Sequence, residues 1–366
     1  MKESVIATII FADLVNSTDM SKNLTLQEYD DMIIDFQGTM YEIVSHHLNH
    51  FGYAGNGDDS QLSIAGDEMR LFLYSGSTTY DVRNALLIAL KIKLGWLASG
   101  FNDQILKEGR IVSRIGVGIN CGKVIKDVRE WRVRMGEIQP TIEGYAINLT
   151  KRIESTSRDG SAYQIMVGDS FYRKCQESSS LNVSFGPPQG LEFKGLGQKI
   201  PVYEIVSFVN FEILSSMPDS FQDGLLEKMQ YAVTQPMAEP WIFITLLRHY
   251  VSLISSGQHD YLEAHAIELA KQALEVVDCK PVIYNMLGWF HIHGKTIRNL
   301  DMALQYFEQS LGLEPRNEPA LAHKARILDS KGKLDLARQA YEEILLHNPT
   351  HPEARKKVEQ YSAQSG

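Results

Sequence analysis

Residues 5–19 read VIATIIFADLVNSTD. The run from Val5 to Phe11 is almost continuously apolar, the pattern of a β-strand covered on both faces rather than one. It delivers Asp13 to the end of that strand, ahead of a turn of small polar residues, Asn16, Ser17 and Thr18. A carboxylate so placed can hold a metal ion while backbone N–H groups of the turn face a phosphate. Standing alone, such a carboxylate is more often a turn or cap residue.

Further along, SIAGDEMRLFL (Ser63–Leu73) sets Ser63–Ile64 and Met69–Tyr74 on either side of a Gly-Asp-Glu turn, which predicts a hairpin with Asp67 in its turn. Val112–Asn120 and Val202–Val206 predict two more strands. Leu26–Phe51 and Val82–Ala98 carry apolar residues at helical spacing, and a third helix should run from Tyr145 through Ile153. The pattern is that of an α+β domain whose strands and helices share one core. If the hairpin brings Asp67 beside Asp13, the pair suits the two divalent ions of phosphoryl chemistry.

Residues 208–366 read as helical throughout. Ala303, Phe307, Ser310 and Pro315 recur 34 positions on as Ala337, Tyr341, Ile344 and Pro349. A weaker copy, Ala266, Ala270, Ala273 and Asp278, lies 37 positions before the first set, as if three residues were inserted around Lys295–Asn299. With Leu287-Gly288, this pattern resembles the tetratricopeptide repeat. Its small residues let paired helices approach closely, and its proline ends the second helix. The expected organisation is an α+β domain over 1–207, connecting helices over 208–260, an all-α repeat domain over 261–366, and a frayed tail at Ser362–Gly366.

Four motifs in order make residues 1–207 resemble the catalytic domain of class III adenylyl and guanylyl cyclases. They are FADLVNSTD with SIAGDEMRLFL, the glycine-containing strand RIGVGINCG (Arg114–Gly122), the helix EGYAINLTKRIES (Glu143–Ser155) and the closing hairpin LEFKGLGQKIPVYEIV (Leu191–Val206). The resemblance implies a central, mostly antiparallel sheet flanked by helices. It implies that Asp13 and Asp67, with the Leu14 carbonyl, bind two divalent cations, Mn²⁺ or Mg²⁺. It further implies that the 3′-hydroxyl of a nucleoside triphosphate attacks its own α-phosphate, with Asn148 orienting the ribose and Arg152 neutralising charge on the phosphate. Asn148 and Arg152 are four apart, which puts both on one helix face. Lys199 is either a contact for the triphosphate tail or a solvated hairpin lysine. In this family the metal residues and the Asn/Arg pair act across a dimer interface, so a homodimer with two shared sites is implied.

Where the family's adenine-selecting Lys and Asp would stand, this sequence has Ser63 and Thr141. A site built to hydrogen-bond one base edge rejects others, because mismatched polar groups stay unpaired. The loss of the cation at 63 suits the pyrimidine cyclases of bacterial anti-phage signalling (Pycsar), relatives that make cyclic UMP or cyclic CMP. Two alternatives remain open: an adenylyl cyclase with atypical adenine contacts, and a catalytically inactive sensor or scaffold whose repeats recruit a protein or peptide partner.

Composition sets the remaining bounds. Over 366 residues, 44% are hydrophobic and 22% charged, as in globular proteins. Three cysteines far apart exclude a disulfide scaffold. The net charge of −9 disfavours nucleic acid as a partner. The N-terminal apolar run is too short for a signal peptide and no stretch reaches membrane-helix length, so a cytoplasmic protein is expected. No P-loop, HExxH or Gly-x-Ser-x-Gly elbow occurs. His46, His47 and His50 read as a helix surface rather than a zinc site, and Asp58 and Asp59, after Gly55-Asn56-Gly57, as turn residues. The basic stretch Lys126–Arg134 is either a dimer arm, a reach towards nucleotide phosphates, or a solvated hairpin.

Overall fold

The computed structural model describes residues 2–54, 58–108, 110, 113–134, 137–178, 181, 183–192, 197, 199–208, 213–214, 216–222, 224–235, 238–256 and 261–364. They fall into two compact units, Met1–Ala238 and Glu239–Gly366. The segment 208–260 is divided between the two.

The first unit runs β1 (Lys2–Leu14), α1 (Ser17–Asn23), α2 (Leu26–His50), β2 (Ser60–Ala65), β3 (Glu68–Leu73), α3 (Thr78–Ala98), α4 (Gly100–Lys107), β4 (Ile115–Arg134), β5 (Glu137–Glu143) and α5 (Tyr145–Glu154). It continues through β6 (Ile165–Gly168), α6 (Asp169–Glu177), β7 (Val183–Phe185), β8 (Gln189–Glu192), β9 (Lys199–Phe208), α7 (Asp219–Gln222) and α8 (Leu225–Ala232). The sheet order is β2-β3-β1-β4-β6-β9-β7, with β5 added on β4 and β8 on β9. Among the described residues only the β4–β6 pairing is parallel. The domain is therefore α+β with a mostly antiparallel central sheet flanked by helices, as its sequence predicts.

Strand alternation assigns the two faces. Ala7, Ile9 and Phe11 of β1 pack with Phe72, Tyr74, Val124 and Ala146, the last belonging to α5. Thr8, Ile10 and Ala12 point the other way, where α3 packs on β1 and β4. Burial on both faces holds only from Ala7 to Ala12, because Lys2 to Ser4 and Ile6 are exposed. His47 is a correction to the surface reading: it is fully buried in α2, with Nε2 2.9 Å from Asn84 Oδ1. Gly55-Asn56-Gly57 and residues 193–196 and 198 of the closing hairpin lie outside the described residues, as do the side chains of 128–134 in the basic stretch. Lys126 of that stretch is buried, with Nζ 5.0 Å from the Tyr74 ring.

The second unit contains α9 (Pro240–Ser255), α10 (Leu262–Val276), α11 (Lys280–His293), α12 (Leu300–Leu313), α13 (Glu318–Ser330), α14 (Leu334–His347) and α15 (Pro352–Gln364). Ala303, Phe307, Ser310, Ala337, Tyr341 and Ile344 are all buried, so the sequence repeat is a packing repeat. Gly288 makes the α11–α12 contact possible: a Cβ there would lie 2.6 Å from the Phe307 ring. The three-residue insertion is the connection 294–299 between α11 and α12, against 331–333 between α13 and α14. Buried Glu263 holds it, accepting from the backbone N–H of Lys295 at 2.6 Å, Thr296 at 2.9 Å and Ile297 at 3.3 Å. The expected frayed tail is helical through Gln364, and residues 365–366 lie outside the described set.

Candidate active site

The sheet register gathers four carboxylates at one end of β1. Asp13 pairs with Glu68 on β3 and with Gly116 on β4, so all three lie on the face that α5 covers. Gly66, at φ +61°, turns the β2–β3 hairpin and leaves Asp67 in the turn, whose carbonyl accepts from the Leu14 N–H at 3.2 Å. Asp67 Oδ2 accepts from the Ser17 hydroxyl at 2.5 Å.

Glycines let α5 sit directly on this face. A Cβ at Gly118 would fall 2.4 Å from Glu154 N and 2.5 Å from its Cα, and one at Gly122 would fall 2.4 Å from Ala146 Cβ. The family-like glycine strand is thus a bed for the helix. The helix in turn lowers Lys151 onto the acidic cluster: its Nζ stands 2.6 Å from Asp13 Oδ2, 2.7 Å from Glu68 Oε2 and 3.1 Å from Glu154 Oε2. Arg70 also pairs with Glu68.

Burial and these contacts pull the acids in different directions. Burial pushes the Asp13 carboxyl up, and nearby Asp67 and Glu68 add to this, against the pull of Lys151. Burial raises Glu154 to about 7. For Glu68, burial is outweighed by the hydrogen bonds from Lys151 and Arg70, which hold it below the usual range. Asp13 Oδ1 is buried and has no hydrogen-bond partner. Such an orphan carboxylate oxygen beside a second carboxylate fits a divalent cation, which takes oxygen ligands and completes its shell with substrate phosphates and water. Among the described residues no group of three His, Cys, Asp or Glu side chains is arranged as a ready metal cage. Two carboxylates, the Leu14 carbonyl and phosphate oxygens form a set of the kind Mg²⁺ uses.

The other sequence-predicted residues are placed elsewhere. Asn16, at φ 61°, precedes α1 and is exposed, as is Thr18, whereas Ser17 is buried against Asp67. Asn148 and Arg152 both lie on α5, Asn148 exposed and Arg152 half-buried. Ser63 stands on β2 opposite Arg70, one strand beyond β3. Thr141 stands on β5 opposite Asp127, and Asp127 is opposite Lys2 at the far end of β1 from Asp13. Lys2 to Asp13 is about 35 Å of extended strand. Lys199 is exposed, 3.9 Å from Glu192. The chain therefore brings Asp13 and Asp67 together but carries Thr141 away from them.

Residues 298–361 match the tetratricopeptide repeat family model. No curated protein matches the chain. Among solved structures, the chain is similar to the adenylyl cyclase CyaB from P. aeruginosa, with 19% identity, 57% of this chain and 96% of that one covered, and a TM-score of 0.44. It is also similar to the guanylyl cyclase Cya2, with 20% identity, 56% and 94% covered, and a TM-score of 0.44. A third is an adenylate/guanylate cyclase/hydrolase from Silicibacter pomeroyi, with 19% identity, 57% and 99% covered, and a TM-score of 0.37. No single helix among the described residues is long and apolar enough to cross a membrane.

Sequence reasoning found Asp13 and Asp67 but not Lys151, Glu68 or Glu154. Lys151 was within reach of inspection, since it lies in the quoted helix motif beside Arg152. Glu68 joins the cluster only through its cross-strand pairing with Asp13, which no local pattern reports.

Proposed function

We propose that the first unit is a nucleotidyl cyclase that converts a nucleoside triphosphate to a 3′,5′-cyclic nucleotide and pyrophosphate. The observation that carries this reading is the convergence of Asp13, with its orphaned Oδ1, and Asp67 at one end of β1. Asp13, Asp67 and the Leu14 carbonyl would hold the divalent cations, taken as two Mn²⁺ or Mg²⁺. When bound, these ions neutralise phosphate charge and favour ionisation of the attacking hydroxyl. The substrate's own 3′-oxygen forms the new bond to the α-phosphorus while the bond to pyrophosphate breaks. Arg152 supplies a fixed positive charge where the α-phosphate gains negative charge, and Asn148 orients the ribose. The turn at Asn16, Ser17 and Thr18 lies next to Asp13 and faces the phosphates.

Thr141 stands about 35 Å of strand away from Asp13, so one chain cannot present both to one nucleotide. This supports a homodimer in which Asp13 and Asp67 of one protomer work with Thr141, Asn148 and Arg152 of its partner. Ser63 and Thr141 offer neutral hydroxyls to the base, which favours UTP or CTP and a role in anti-phage signalling. The repeats, with the concave surface such solenoids present, would bind a protein or peptide partner.

One observation favours a second reading, an inactive sensor: Lys151 is seated on Asp13. Incubating the protein with Mn²⁺ and each of ATP, GTP, CTP and UTP, with products identified by mass, separates the two. Cyclic UMP or CMP, lost in Asp67→Ala, is the expected result. Cyclic AMP would retain the chemistry and overturn the base assignment, and no cyclic product would overturn the cyclase. In the same assay, mixing Asp13→Ala with Arg152→Ala chains should restore part of the activity, because one site of each mixed dimer is intact.

A further inference from the structure

Four carboxylates, Asp13, Asp67, Glu68 and Glu154, face two cationic side chains, Lys151 and Arg70. Asp13 Oδ1 has no hydrogen-bond partner, while the other oxygen of the same carboxylate, Oδ2, accepts from the Lys151 ammonium at 2.6 Å, so a cation drawn to Oδ1 meets a like charge on its own ligand. Lys151 is half-buried, 6.0 Å from the Phe11 ring centroid, and its stem is carried by a helix pressed onto Gly118. It is not a surface lysine that happens to reach an acid. Its contacts with Glu68 and Glu154 are independent of Asp13, so the ammonium can release Asp13 and still keep two carboxylate partners.

We propose that Lys151 is a tethered cation that competes with the divalent metal for Asp13 and so sets the metal concentration at which the site fills. The inference rests on the reading of Asp13 as a metal ligand. The ammonium stands on Asp13, Glu68 and Glu154 and holds the three carboxylates together. A divalent ion held by Asp13 would face that like charge, and the lysine would keep Glu68 and Glu154 as its partners. Lys151 is a positioning and metal-selecting residue, distinct from Asn148 and Arg152 on the same helix.

The test measures Mn²⁺ binding without nucleotide, from the spectrum of free Mn²⁺ in electron paramagnetic resonance. Lys151→Met and Lys151→Gln remove the charge, the second retaining hydrogen-bonding capacity should the first fail to fold. Both should bind Mn²⁺ roughly tenfold more tightly than wild type, because a like charge within a few ångströms of the ion has gone. Lys151→Arg should bind as weakly as wild type. The rise in Tm on adding Mn²⁺ should be larger in the neutral variants. Unchanged or weaker Mn²⁺ binding in a folded neutral variant would overturn the proposal and leave Lys151 as a brace. Tighter binding together with no cyclic product from any triphosphate would uphold the competition and overturn the cyclase reading. Cyclic product with unchanged Mn²⁺ binding would do the reverse.

Discussion

The two units solve the same packing problem with the same device and then diverge in how they treat polar groups. In the first, Gly116, Gly118 and Gly122 let a helix lie on a strand; in the second, Gly288 lets α11 lie on α12. In the helical unit several side-chain acceptors close on backbone amides. Glu263 accepts from the three amides at 295–297, Asn299 from the Asp301 and Met302 amides, and Asn317 from that of Ala320. In the sheet unit, polar groups from four elements meet at one strand end, with an orphan oxygen and more acids than cations. A site that must accept a ligand keeps groups in reserve, and unsatisfied groups in a native fold call for such an explanation.

The largest effect that would sharpen this contrast comes from adding one methyl group to each close contact. In Gly118→Ala the new Cβ meets Glu154 backbone at 2.4–2.5 Å, and the end of α5 must move away. The expected cost is about 3 kcal/mol in stability. Displacing Lys151 and Arg152 with the helix should lower turnover about a hundredfold. In Gly288→Ala the obstacle is the tip of the Phe307 ring, a side chain rather than backbone, so the cost should be about 1–2 kcal/mol with no loss of turnover per folded molecule. Thermal unfolding and initial rates on both variants check this. Equal effects on turnover would break the contrast.

How much of this was legible beforehand follows from the range of the interactions involved. The strand carrying Asp13, the hairpin turn at Asp67 and the helix bearing Asn148 and Arg152 are written in local periodicity and turn residues, and each lies where the sequence predicts. The three-residue insertion in the repeats was countable from the shift of Ala266, Ala270 and Ala273. Glu263 as its clasp was not, because the acid and the loop it holds are about thirty residues apart. Glu68 and Lys151 were invisible for the same reason: one depends on β1–β3 register, the other on a helix resting on glycines of β4. His47 misled because burial comes from α3, an element remote in sequence, whose Asn84 receives its Nε2–H.

A smaller effect, graded in pH, probes burial in each unit. His47 in α2 is pushed down to about 3, first by burial and then by the Lys91 charge, and His323 in α13 to about 4 for the same first reason. A histidine whose folded pKa is depressed stays neutral in the native state while the unfolded chain takes up a proton. The stability it contributes is present above about pH 6.5 and is lost as pH falls towards the folded value, at about 1.4 kcal/mol per unit for each group. Stability measured by denaturant from pH 7.5 to 5 should therefore fall below 6.5. His47→Gln should flatten the slope for the first unit and His323→Gln for the second. An unchanged slope in either variant would show that its histidine is not held neutral in that unit.

The most local expected effect concerns how a buried acid can be tolerated without a ligand. Glu263 in α10 is buried, yet its carboxyl is held below the usual range: burial would raise it, but the bonds from Thr296, Lys295 and Ile297 outweigh that. Glu204 on β9 is its counterpart in the sheet unit, accepting from the Ser161, Ala162 and Gln164 amides at 2.8–2.9 Å. Glu263→Ala leaves three amides without their acceptor and should cost about 1–3 kcal/mol, since water can reach part of the loop. Hydrogen exchange should speed up at 295–297 while the α13–α14 pair stays protected. Glu263→Gln should recover part of the loss, because a neutral carbonyl oxygen still accepts but without charge assistance. Exchange that rises evenly across α11 to α14 would mean that the connection is not an isolated graft on the repeat but a part of its cooperative core.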